Sequence, residues 1–259
     1  MRAQQPMTIN QNETQTGIAS PIITDNLNND TFFAELGTVN NVKIIQKAEC
    51  IEFLYPKCIP NRYEVVYPNG QLMYDFKEKS DFCERYWCHP IRGFEMNITN
   101  VTSANNRTSV IMQGNKNCSI PFMYCCGCGK PTFSIDVKSP IGFRIGKAKL
   151  GYDNICCYLC ENRIDIFDNS NNIRYIIKPS CLCLGVYCHH YVKCCDFEYK
   201  IMQDGQTVGT IIKDTCNDAV TFFTKADNYL INFPLNATPQ DKMLLICGAI
   251  LIDYLSFYL

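Results

Sequence analysis

"KMLLICGAILIDYLSFYL", from Lys242 to Leu259, carries one charged side chain after its opening lysine, Asp253. Two readings compete for this run. A bilayer-spanning helix needs about 20 predominantly apolar residues, and an ionised aspartate at its centre costs roughly 2.5 to 3.5 kcal/mol on insertion scales. A helix that is apolar all round can also be the filling of a protein core. The choice turns on whether the rest of the chain needs such a filling.

It does. From Asn41 onward the pattern is strands and turns. "RYEVVYPNGQLMYDF" (Arg62 to Phe76) sets Asn69-Gly70 between two β-rich runs, a strong short-range hairpin signal. "DFEYKIMQDGQTVGTII" (Asp196 to Ile212) repeats the design with Asp204-Gly205, and "RIDIFDNSNNIRYII" (Arg163 to Ile177) repeats it with a polar Asn/Ser loop. Phe94 to Ile98 and Phe133 to Val137 alternate apolar and polar residues, which gives each strand one buried and one wet face. A many-stranded antiparallel sheet needs its edges closed, and a closed barrel needs something apolar in its lumen. The expected fold is therefore mainly β: an antiparallel barrel around a buried C-terminal helix over 243–259. Ile246, Ile250, Leu251 and Leu255 should face strand residues. Asp253 should sit at a barrel mouth or have a hydrogen-bond partner, because an unpaired buried carboxylate is costly. Residues 1–40, rich in Asn, Gln and Thr, read as a disordered tail, with the barrel domain at 41–259.

The net charge is -1, from 24 basic and 25 acidic residues, and no block of like charge occurs. Nucleic acid is not an expected partner. The opening "MRAQQPMTINQNETQTG" has no apolar segment of a secretory leader. Seven N-x-S/T sequons, at Asn12, Asn29, Asn97, Asn100, Asn106, Asn117 and Asn236, point toward secretion, but that motif is cheap. The 18 cysteines then read as reduced thiols that bind metal, carry lipid or react. Cys157-x-x-Cys160 with Cys181-x-Cys183 is close to a zinc arrangement, although a ribbon needs C-x2-C twice; sulfur-rich strands in a reduced core explain the set as well. Three histidines, His89, His189 and His190, come with no nucleophile elbow, phosphate loop or H-E-x-x-H pattern, so bond-breaking catalysis is not expected.

Several of these stretches resemble one family. "KADNYLINFPLN" (Lys225 to Asn236) followed by "GAILIDYLSFYL" (Gly248 to Leu259) is similar to the C-terminal signature of the phospholipid scramblases. "NRYEVVYPNGQLMYDFKEKSDFCERYWCHPIRGFEMNI" (Asn61 to Ile98), "YCCGCG" (Tyr124 to Gly129) and "CCDFEYKIMQDGQTVGTIIKD" (Cys194 to Asp214) resemble other segments of it, in the same order. The resemblance implies a tubby-like barrel of about twelve strands. It also implies ATP-independent, calcium-stimulated movement of membrane phospholipids at the cytoplasmic face of the plasma membrane. A homo-oligomer is a further partner the activity would call for. The same barrel could instead serve as a lipid- or partner-binding adaptor without translocation. Cys125, Cys126 and Cys128 match the family's fatty-acylated run and imply palmitoyl groups; the alternative is unmodified loop residues. Asp227, Asn228, Asn232 and Asn236 match its calcium loop. That loop begins and ends with Asp in the family but with Lys225 and Asn236 here. A plain strand, with Tyr229, Ile231 and Phe233 turned into the core, is the competing reading. The tail has only Pro6 and Pro21 and lacks PxxP elements, so adaptor-domain partners are not expected.

Overall fold

A computed structural model describes residues 32–47, 60–81, 94–101, 108–116, 133–139, 142–152, 162–180, 197–214 and 228–256. The chain begins with a one-turn helix α1 (Ala34–Gly37) and continues through strands β1 (Asn41–Gln46), β2 (Arg62–Val66), β3 (Leu72–Lys79) and β4 (Phe94–Asn100). Next come β5 (Thr108–Lys116), β6 (Phe133–Lys138), β7 (Arg144–Tyr152) and β8 (Asn162–Asp168). The last strands are β9 (Ile173–Pro179), β10 (Phe197–Gln203), β11 (Gln206–Asp214) and β12 (Asn228–Asn232), followed by helix α2 (Pro239–Ser256).

Every strand pairs antiparallel with its chain neighbours, and β1 also pairs with β12, Ile44 opposite Tyr229 and Asn41 opposite Asn232. The strand order is β1-β12-β11-β10-β9-β8-β7-β6-β5-β4-β3-β2, a closed barrel. Among the described strands, ladder closure leaves no free edge to recruit another chain.

The hairpins are built as their turn residues require. At Asp204-Gly205 both central residues have positive φ, 49° and 79°, the two-residue turn whose twist suits adjoining strands. Gly70, at φ 85°, closes a longer turn in which its N–H donates to Tyr67 O at 2.9 Å while Tyr67 N–H donates to Gln71 O at 2.9 Å. The β8–β9 turn repeats that geometry residue for residue. Asn171, at φ 62°, donates to Asp168 O at 3.1 Å, and Asp168 donates to Asn172 O at 3.0 Å. The β6–β7 turn does so again, with Gly142 at φ 91° donating to Ser139 O at 2.9 Å. Of the three hairpins alike in sequence, β2–β3 and β8–β9 thus share one turn geometry, while β10–β11 has its own two-residue turn.

Helix α2 lies in the lumen, because its side chains meet strands on opposite walls. Tyr254 stacks on Phe94 of β4, with centroids 4.1 Å apart. Gly248 packs so close to β8 and β9 that a Cβ there would lie 2.7 Å from Ile177 Cδ1 and 3.1 Å from Ile166 Cδ1. Asp253 bonds to Tyr63 on β2 and Tyr229 on β12. From Asp241 to Tyr254 every helix residue is buried, Ile246, Ile250 and Leu251 included, while the Leu255 side chain lies outside the described residues. Among the described residues no helix is long and apolar enough to cross a membrane.

Two boundaries differ from the sequence reading. The helix starts at Pro239, not 243. Thr238 Oγ1 accepts the Asp241 N–H at 3.2 Å, and the Asp241 carboxylate accepts the Thr238 N–H at 3.2 Å, a reciprocal cap with proline at the first helical position. The end of the supposed tail is also part of the core: Phe32, Phe33 and Leu36 are 7%, 0% and 0% exposed. They pack where α1 meets α2, so the ordered domain begins before residue 41.

Candidate functional site: the two ends of the barrel

The antiparallel alternation sorts the connections by end. The turns at 67–71, 139–143, 168–172 and 204–205, the link 233–238 and α1 all lie at one end. The segments 48–59, 82–93, 117–132, 153–161, 181–196 and 215–227 all leave and re-enter the barrel at the other. These six segments lie outside the described residues, and only their attachment points are placed. They contain every cysteine except Cys247, all three histidines and Trp87. Cys125, Cys126 and Cys128, and Cys157, Cys160, Cys181 and Cys183, belong to three of them. Wide separation in sequence hid this common origin.

The lumen beneath that end is polar. Asp253, fully buried, accepts Tyr63 Oη–H at 2.6 Å and Tyr229 Oη–H at 2.9 Å. Lys213, 3% exposed, faces inward opposite Tyr229 in the β11–β12 register, its Nζ 5.7 Å from that ring's centroid. Tyr254 Oη donates at 2.8 Å to the Glu78 carboxylate, which also accepts the Ser80 hydroxyl at 2.7 Å and the Asn61 N–H at 2.9 Å. Burial, and then the negative charge of Asp253, pushes the Tyr63 phenol well above its ordinary pKa. The carboxylate and the two phenols fix the depth of the helix across β1, which lies between β2 and β12. Sequence reasoning required a partner for Asp253 but did not name the tyrosines. Their inward parity was the available signal, since Tyr63 shares a face with Val65, and Tyr229 with Ile231.

The short-turn end is sealed. Lys242 Nζ donates to Leu36 O at 2.9 Å and Val39 O at 2.7 Å, and lies 5.6 Å from the Phe233 ring centroid. Desolvation lowers its pKa. Arg174 reaches the buried Asp241 carboxylate at 3.3 Å. With α2 inside and α1 across this end, the lumen is packed core and not a channel.

The residues matched to a calcium loop are spread out. Asp227 lies outside the described residues. Asn228 and Asn232 sit at the two ends of β12, about 13 Å apart at a strand's rise of roughly 3.3 Å per residue. Calcium ligands lie about 2.3 to 2.6 Å from the ion, so these two amides cannot share one. Asn232 Nδ2 donates to Thr210 Oγ1 at 2.9 Å, and Asn236 is exposed in the link to α2 at the sealed end. Tyr229, Ile231 and Phe233 are 1%, 0% and 6% exposed, so this stretch is the plain strand with its alternate residues in the core. Among the described residues no group of three or more His, Cys, Asp or Glu side chains could hold a metal ion. Cys247, on α2, is a buried thiol, and burial raises its pKa.

The scramblase family profile matches residues 20–258. The chain belongs to the scramblase family. It is similar to phospholipid scramblase 2 of Bos taurus, 26% identical over 226 residues that cover 86% of this chain and 70% of the relative. Human phospholipid scramblase 2 is 27% identical over 222 residues, covering 86% and 69%. Human phospholipid scramblase 1 is 29% identical over 227 residues, covering 86% and 64%. No solved structure matches the chain.

Proposed function

We propose that this scramblase-family protein moves phospholipids between bilayer leaflets without ATP, at the cytoplasmic face of the plasma membrane. The observation that carries the reading is the family match over residues 20–258, with relatives named for that activity. The barrel supplies a rigid body with one sealed end and one end from which the cysteine-bearing connections leave. Palmitoyl chains on Cys125, Cys126 and Cys128 would hold that second end at the membrane; two chains anchor a protein firmly where one does so marginally. Because α2 fills the lumen, headgroups do not pass through the barrel. Their route is outside it, through a homo-oligomer, a locally thinned bilayer or a second protein. Calcium has a minor role in this proposal, since Lys225 and the neutral Asn236 stand at the loop's termini and calcium affinity follows carboxylate number.

The packed lumen also favours a second reading, a membrane-associated adaptor on the same barrel with no translocation. Purified protein reconstituted into liposomes with a dye-labelled lipid separates them. A membrane-impermeant bleach removes the dye of both leaflets if lipids are moved, and the dye of the outer leaflet alone if the protein is an adaptor. The same assay with and without calcium measures the ion's part.

A further inference from the structure

Among the described residues, five large apolar side chains are exposed, and four of them stand at the sealed end of the barrel. Val101, 39% exposed, follows the last residue of β4, and Phe143, 54% exposed, closes the β6–β7 turn. Ile173, 49% exposed, opens β9, and Leu235, 90% exposed, lies in the link to α2. The fifth, Leu230, is on the outward wall of β12. Phe143 and Ile173 flank turns that touch, since Arg144 Nη1 donates to Asn171 Oδ1 at 2.8 Å.

Charged groups beside these tips have partners within the same end. Arg144 lies 3.3 Å from the Asp136 carboxylate and Arg174 lies 3.3 Å from that of Asp241. Asp168 accepts the N–H groups of Ser170 and Asn172 at 2.9 Å, and Glu35 accepts Asn100 Nδ2–H at 3.0 Å. The turns at 67–71, 139–143, 168–172 and 204–205 and the link 233–238 contain no lysine or arginine. This end therefore offers a partner apolar side chains among neutral amides, and little to draw an anionic surface.

A polypeptide of matching character starts from the same place. Residues 1–31 lead to Phe32, whose carbonyl accepts Asn100 Nδ2–H at 2.9 Å and Tyr74 Oη–H at 3.1 Å. The chain thus arrives on β3 and β4, beside Val101. The family profile matches from residue 20, so the family's domain includes residues 20–31. From Gly17 to Asn29 the large apolar residues are Ile18, Ile22, Ile23 and Leu27, the one charge is Asp25, and Asn26, Asn28 and Asn29 are neutral amides. Residues 20–31, fully extended, reach about 40 Å. A ring of twelve strands about 4.8 Å apart is roughly 18 to 25 Å across, so that segment can cross it.

We propose that residues 18–27 dock back across the sealed end, seating Ile22, Ile23 and Leu27 against Phe143, Ile173 and Val101. Burial of apolar surface on both sides drives the contact, and it covers a cluster that would otherwise invite association. A second copy seated end to end would point its cysteine-bearing connections away from the membrane that holds the first. That choice of occupant rests on the membrane reading above, but the contact itself needs no membrane, so the two fail separately.

The test replaces Phe143, and Leu230 for comparison, with photoreactive benzoylphenylalanine in the full chain. Irradiation in solution should join position 143 to residues 18–27 of the same chain, located by peptide mass spectrometry, at a yield independent of protein concentration. Position 230 should give no such product. Ile18→Ser/Ile22→Ser/Ile23→Ser/Leu27→Ser should lose most of the crosslink and bind more of a dye that reports exposed apolar surface. Crosslinked dimers whose yield rises with concentration would assign this end to a second copy. Lipid adducts on vesicles of phosphatidylcholine and phosphatidylserine, with no product to residues 18–27 in solution, would assign it to a bilayer. Either result overturns the proposal, as does a lack of any product from position 143 or a crosslink that the serine variant keeps in full.

Discussion

Replacing Asp253 with alanine removes the acceptor that two buried phenols share. Tyr63 Oη lies 2.6 Å and Tyr229 Oη 2.9 Å from the carboxylate, and all three residues are at most 1% exposed. A buried donor left without its acceptor costs about 1 to 3 kcal/mol, so two give about 2 to 6 kcal/mol. That is a large share of the roughly 5 to 15 kcal/mol that holds a domain together. In a chain of this size it lowers the melting point by about 5 to 20 °C. Asp253→Asn keeps one acceptor oxygen and should fall between alanine and wild type. Urea denaturation followed by far-ultraviolet circular dichroism measures both. An alanine variant within about 1 kcal/mol of wild type would refute the clasp. The bilayer-spanning alternative predicts the opposite sign, since removing the one acid favours insertion.

Gly146→Ala places a Cβ against the Phe167 carbonyl oxygen and 2.7 Å from Leu244 Cδ1, so it should cost about 2 to 3 kcal/mol. Gly248→Ala meets movable isoleucine methyls and gains about 1 kcal/mol of helix propensity, and thermal melts should place it near wild type. Burial raises the Tyr63 and Tyr74 phenols well above their ordinary value near 10. Their stabilisation is complete below pH 10 and is lost as pH rises above it, because the unfolded tyrosines ionise first. Each contributes up to about 1.4 kcal/mol per pH unit, so chemical denaturation at pH 11 should show roughly 3 kcal/mol less stability than at pH 9; a flat profile would contradict their burial. Replacing Cys125, Cys126 and Cys128 together with alanine should move the protein from membrane to soluble fractions. Persistence in the membrane after carbonate extraction would assign the attachment to another part of the chain.

The hairpins were legible because Asn-Gly and Asp-Gly specify their own turns, and strand alternation gave the buried face directly. The helix's place in the lumen followed from Asp253 and from the sheet's need for a filling. Its first turn did not, because Thr238 to Asp241 is polar and announces a helix through a cap rather than through periodicity. Helix α1 is too short for any period to show. Phe32, Phe33 and Leu36 looked like scattered apolar residues until the barrel mouth gave them a surface. Lys213 and Lys242 are buried lysines whose acceptors or ring contacts come from distant strands and loops, and nothing local predicts them. The gathering of the cysteine-bearing segments at one end is a property of strand direction, and it became visible once the pairing order was known.

Whether the apolar C-terminal run fills the barrel or leaves it for the bilayer is tested most directly by hydrogen exchange. Amides of residues 243–254 should be followed in free protein and in protein bound to vesicles. A helix lodged in the lumen opens with the whole barrel, so its amides should exchange as slowly as those of β2, β8 and β12, whether or not vesicles are present. Fast exchange of the helix in free protein, with protection acquired on vesicle binding while the strands stay unchanged, would contradict the account.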